Sequence, residues 1–220
     1  FAELGAAIDR DCSRPPSPDG TVHPVSAYIV HYFRRLLKNA NASGVLFADP
    51  ASGLGEEGRR GAAGANSSWE STVSSDMLTV PQSEQNKFFR EASAMRDADS
   101  AMAHAGGCIV ELLKGGLEQV ARGVKQPALA QLFLLNNYRY LETSLNSQQL
   151  AGTLGEKWDA TLVPQQVSRF YEAGWGRLRD ALEKRGEPKE ALRAVNGEVE
   201  GIARLHRSWV IPDRDLRKVI

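Results

Sequence analysis

A chain of 220 residues can bury one sizeable core or two small ones. With 42% hydrophobic and 25% charged residues it has the composition of a globular protein, and no apolar run approaches the roughly 20 residues a membrane-crossing helix needs. Lysine plus arginine matches aspartate plus glutamate at 27 each, which excludes a chain-wide field that would steer nucleic acid to the surface.

Residues Phe1 to Ile8 already have helical spacing with no cap before them, and the last residues, Asp213 to Ile220, begin a new amphipathic turn. Both ends are therefore expected to lie inside a longer protein. After the turn-rich stretch Pro15 to Gly20, a helix is predicted from Val22 to about Asn39, capped by Thr21 and with Pro24 in its first turn. Val25, Tyr28, Ile29, Tyr32, Phe33, Leu36 and Leu37 form its apolar stripe. From residue 44 to 81 glycine, alanine, serine and mixed charge replace the large apolar residues. That profile predicts a flexible insertion unable to offset its ordering entropy. Three segments follow from this reading: helical residues 1–43, the insertion 44–81, and further helical hairpins over 82–220.

Order returns near Ser83 and strengthens from Ser100. Met102, Ile109, Leu112, Leu113, Leu117 and Val120 line a long helix despite glycines at 106, 107, 115 and 116, so tertiary packing has to hold it. Pro127 opens a helix to about Leu145 that is apolar almost all round at Leu132–Leu135. The next helix is predicted from about Gly155 to Arg185, kinked at Pro164, with Val167, Phe170, Tyr171, Trp175, Leu178 and Leu182 as its stripe. After Gly186 and Pro188, a last long helix carries Leu192, Val195, Val199, Ile202, Leu205 and Trp209, and Pro212 ends it. No period-two strand pattern is visible. The fold class is all-α, an elongated rod or bundle of stacked antiparallel helical hairpins.

The search for chemistry is mostly negative. Gly53-Leu-Gly-Glu-Glu-Gly58 matches G-x-G-x-x-G, yet no strand precedes it and Glu56 and Glu57 would repel a phosphate. The histidines at 23, 31, 104 and 206 have no carboxylate or cysteine at ligand spacing, and Cys12 and Cys108 form no metal or disulfide pattern. No catalytic, cofactor-binding or metal-binding residue is assigned. Asn136 and Asn137 stand out because asparagine is unfavourable inside a helix, and buried amides tying neighbouring helices together explain them best. Basic residues gather in the last third among nearly as many acids. Lys184, Arg185, Lys189 and Arg193 are the candidate weak face toward an acidic membrane or a partner.

Four stretches, in order, resemble the seventy-kilodalton subunit family of the exocyst. They are Asp19-Gly-Thr-Val-His-Pro24 with the helix after it, Pro127 to Leu141 around Asn136, Asn137 and Tyr138, the helix bearing Tyr171 and Trp175, and Trp209 to Arg217 with Pro212 and Asp213. The 44–100 region departs from that pattern. The resemblance implies a rod of stacked helical hairpins without enzyme activity or cofactor. It also implies vesicle tethering in exocytosis, through other exocyst subunits, a Rho-type small GTPase and phosphatidylinositol bisphosphate at the inner face of the plasma membrane. The family's main lipid-binding residues follow the last of these stretches, so none is carried onto this chain. Two alternatives stay open: the same domain borrowed as a recognition module by another protein, and an all-α nucleotide-binding enzyme.

Overall fold

The computed structural model describes residues 7–8, 10–38, 98–147, 158–183 and 188–220. The 44–81 segment, the Gly53–Gly58 pattern, Lys184 and Arg185 lie outside them. The described residues form helices and connecting turns, with no strand among them. Residues 7–8 and 10–12 are helical, and after them come, in chain order, α1 (Pro24–Lys38), α2 (Ala98–Arg122), α3 (Pro127–Leu145), α4 (Leu162–Glu183), α5 (Pro188–His206) and α6 (Leu216–Val219).

α3 is the axis of the packing, touching α1, α2 and α4, while α5 lies against α4. Its sequence explains this role. Leu132, Phe133, Leu134, Leu135, Tyr138 and Leu141 leave no polar stripe through the helix centre, so the helix is stable only when enclosed on several sides. Side-chain contacts fix the directions of the hairpins. Tyr138 meets Trp158 while Gln131 meets Gln166, and Ala128 lies near Gly174, so α4 runs back along α3. His206, the last residue of α5, meets Phe170 and Trp175 in the first two thirds of α4, so α4 and α5 form a second antiparallel hairpin. One core joins Ile8, α1, α2, α3 and the start of α4, and extends to Leu216.

Several expectations are corrected. α1 starts at Pro24, and its cap is His23, not Thr21: the Val25 N–H donates to His23 Nδ1 at 3.3 Å, while the Thr21 N–H is held by Asp19 Oδ1 at 3.0 Å. Pro24 sits at the first helical position, where the missing N–H has no intrahelical partner to lose. The buried face of α1 is Val25, Ser26, Ile29, Val30 and Phe33, rotated from the predicted stripe, so Tyr28 is 51% exposed. α4 begins at Leu162, after a turn in which Asp159 Oδ1 accepts from both the N–H and the hydroxyl of Thr161. Pro164 is thus the third residue of α4. Its absent N–H falls among the unbonded first-turn groups, where it forces no kink.

The last long helix ends at His206 rather than running on through Trp209. Of its predicted stripe, Ile202 alone is buried, and Leu192 is 61% exposed. The spacing identified an apolar face correctly, but α5 sits at the edge of the described packing with α4 as its one extensive neighbour.

Candidate functional site

Among the described residues, four of the six buried polar side chains, His23, Ser26, Asn136 and Asn137, converge on one place. The turn at residues 17–20 is closed by the Gly20 N–H donating to Ser17 O at 3.1 Å, with Gly20 at φ 74°, which a side chain would resist. Glycine is also needed for room, because a Cβ there would lie 3.1 Å from Leu129 Cδ1. The turn places the carbonyls of Asp19 and Gly20 against α3 and against residues 209–213. The Val210 N–H donates to Asp19 O at 2.9 Å. Asn136 Nδ2 then donates to Gly20 O at 2.7 Å and to Val210 O at 2.9 Å. A single amide therefore holds three separated segments together. Its oxygen is buried without a hydrogen-bond partner among the described residues.

One residue later, Asn137 uses both ends of its amide. Its Oδ1 accepts from the His23 N–H at 2.9 Å and from Ser26 Oγ at 2.8 Å, and its Nδ2 donates to Phe133 O at 2.7 Å. Asn137 and Ser26 are fully enclosed, so these bonds are made away from water, where leaving them unmade would be expensive. Tyr138 faces the opposite neighbour: its hydroxyl donates to Glu118 Oε1 on α2 at 3.2 Å. Burial, reinforced by the Glu118 charge, pushes the phenol far above its ordinary range.

Trp175 and Trp209 belong to an aromatic cluster that closes the α4–α5 hairpin. His206 is tilted over Trp209 with centroids 4.3 Å apart and meets the edge of Trp175 at 5.7 Å, with Phe170 behind. Burial lowers the His206 pKa. Pro212 follows this cluster, and Asp213 lies in the turn that leads into α6, its Oδ1 accepting the Leu216 N–H at 2.7 Å. Asp213 Oδ2 also lies 3.5 Å from Arg139 Nε, so the chain after α5 is pinned to α3 by charge as well as by amides. The hydrogen bond that Arg139 donates to Glu142 raises the Arg139 pKa further, and this guanidinium stays charged throughout the accessible pH range.

The basic face is a different matter. Lys189 and Arg193 stand exposed on successive turns of α5. On α4, Arg179 is engaged by both carboxylate oxygens of Glu172, at 2.8 and 2.9 Å, and so offers little free charge. Among the described residues no group of three or more His, Cys, Asp or Glu is placed to hold a metal ion, and no helix is long and apolar enough to cross a membrane.

Sequence reasoning singled out Asn136 and Asn137 but missed their partners. The capping role of His23 had one available signal, a proline at the next position, which marks the first helical residue and hence the cap before it. Ser26 and the Gln131–Gln166 pair, in which Gln166 Nε2 lies 2.6 Å from Gln131 Oε1, had none.

The family defined by the C-terminal part of Exo70, an exocyst complex subunit, matches residues 1–220 of this sequence. The chain belongs to that family. Its relatives include the exocyst complex components EXO70A1, EXO70B1 and EXO70B2 of Arabidopsis thaliana, at 21%, 23% and 24% identity. Each alignment covers 99% of this chain and 31%, 30% and 31% of the respective relative, so the chain spans about a third of their length. Within this Exo70 chain, three of the four stretches that resembled the family in sequence meet at the Asn136–Asn137 amides: Asp19 to Pro24, the middle of α3, and Trp209 to Asp213. The fourth, on α4, packs Trp175 on His206 beside Trp209.

Proposed function

We propose that this chain is a stretch of a non-enzymatic scaffold subunit of the exocyst, which tethers secretory vesicles to the plasma membrane during exocytosis. The observation that carries the reading is the family match across the whole sequence. The packing supports it: helices stacked around α3 and locked by buried amides make a stiff spacer. The scaffold works by avidity. Separate weak contacts with neighbouring exocyst subunits, a Rho-type GTPase and phosphatidylinositol bisphosphate add through one rigid body, without any single tight site. The protein then acts in the cytoplasm, peripheral to the inner face of the plasma membrane. Lys184, Arg185, Lys189 and Arg193 make at most a minor contribution to lipid binding, because acids are interleaved with them along the chain.

Liposome flotation tests the membrane half of this proposal. The chain and the complete gene product that contains it are floated with and without phosphatidylinositol bisphosphate, at low and physiological salt. Lipid- and salt-dependent flotation of the complete product alone fits a spacer. Equal flotation of the chain makes its own basic face a membrane site. If neither floats and neither co-purifies with exocyst subunits, a borrowed recognition module becomes the better reading.

A further inference from the structure

The residue that caps α1 is a histidine, which is unusual, because capping requires an acceptor and imidazole is an acceptor only while one ring nitrogen is unprotonated. Here that nitrogen is Nδ1, which takes the Val25 N–H at 3.3 Å, so the ring proton sits on Nε2. His23 is 5% exposed, and its ring stands edge-on to Phe133 of α3 at 6.1 Å. Its own N–H donates to Asn137 Oδ1, and Ser26, three residues on, donates to the same oxygen. The cap of α1 and the attachment of α1 to α3 are therefore one cluster of bonds.

We infer that His23 is an acid-sensitive latch between α1 and α3: protonation of Nδ1 removes the cap and releases the first turn of α1 from Asn137. With two protons on the ring, Nδ1–H and the Val25 N–H become two donors facing each other. A positive charge is also placed at a helix N-terminus, where the aligned peptide dipoles oppose it. A cavity of about 320 Å³ adjoins the ring, lined by Asp11, Arg14, Ser17 and Thr21, and gives protons a route from solvent.

The surrounding charges do not cancel this effect. From the segment before α1, Asp11 favours the charged ring and Arg14 opposes it, and these two lie 3.7 Å apart as an ion pair. The Asp19 carboxylate, in the same turn, is occupied by Ser17 and Thr21. From α3 the contacts are neutral, the Phe133 ring and the Asn137 amide. Burial is the largest influence and lowers the His23 pKa from its ordinary 6.5. The unfolded chain then takes up the proton first as pH falls. The latch is fully closed above pH 6.5 and weakens as acidification proceeds through that value.

The test is nuclear magnetic resonance of the isotopically labelled chain. Ring nitrogen shifts at neutral pH are expected to report the Nε2–H tautomer. Amide exchange at Val25 and Ser26, corrected for its intrinsic pH dependence, is expected to accelerate by about tenfold or more between roughly pH 7.5 and pH 5, ahead of core amides such as Leu134. His23→Asn keeps a capping acceptor that does not titrate and is expected to abolish the acceleration. An Nδ1–H tautomer, a flat exchange profile, uniform acceleration of all amides, or unchanged acceleration in His23→Asn would each overturn the latch. The wild-type ring measurement decides the matter even if the variant folds poorly.

Discussion

Asn137→Ala removes the acceptor of two buried donors at once. The His23 N–H at 2.9 Å and the Ser26 hydroxyl at 2.8 Å both end on Asn137 Oδ1, and Ser26 has no exposed surface. Each buried donor left unpaired costs about 1–3 kcal/mol. The serine hydroxyl can rotate toward the carbonyl one turn earlier, so its share is the smaller one. Loss of about 3–4 kcal/mol follows, a large part of the roughly 5–15 kcal/mol that holds a typical domain. Ser26→Ala alone should cost only about 1 kcal/mol, because the Asn137 oxygen keeps the His23 N–H. Adding Ser26→Ala to Asn137→Ala removes the orphaned hydroxyl, so the double variant should be no less stable than Asn137→Ala by itself. Equilibrium urea unfolding followed by far-ultraviolet circular dichroism measures all three. A cost below about 1 kcal/mol for Asn137→Ala, or strict additivity of the pair, would refute the reasoning.

Neighbouring glycines of α2 should respond oppositely to alanine. Nothing lies within 4 Å of a Cβ at residue 115, so Gly115→Ala should stabilise by about 0.5–1 kcal/mol. At residue 116 the Cβ would be 2.7 Å from Cys12 Sγ, so Gly116→Ala should destabilise by about 1–3 kcal/mol and Cys12→Ala should recover part of the loss; thermal melts check both. Gly20→Ala combines a φ of 74° with crowding against Leu129 and Leu132 and should cost about 2 kcal/mol in urea at an unchanged m-value. Leu182 and Leu192, 66% and 61% exposed, should tolerate lysine with a stability change within about 0.5 kcal/mol, while self-association measured by light scattering falls.

What could be read from sequence follows from how local each cause is. The bounds of α3 were legible because a proline at its first position and an asparagine after its last turn act within a few residues. The extent of α4 was overestimated because the turn at Asp159 is closed by side-chain bonds to Thr161 that no periodicity records. The stripe of α5 was visible, but spacing cannot tell whether a neighbour exists to cover it. For the amides, composition marked Asn136 as anomalous, whereas Gly20 and Val210, its partners 116 and 74 residues away, are bound through backbone carbonyls that carry no residue signature.

The two hydrogen bonds donated by Asn136 have a kinetic consequence. Its two acceptors can be presented together only after α3 has formed and both distant turns have docked, so the closure entropy of two long loops is spent before the amide gains anything. Such an interaction belongs to the late side of the folding barrier. Weakening it should leave the refolding rate nearly unchanged and raise the unfolding rate. The three-way junction then sets how long the native state lasts under load, more than how quickly it is reached.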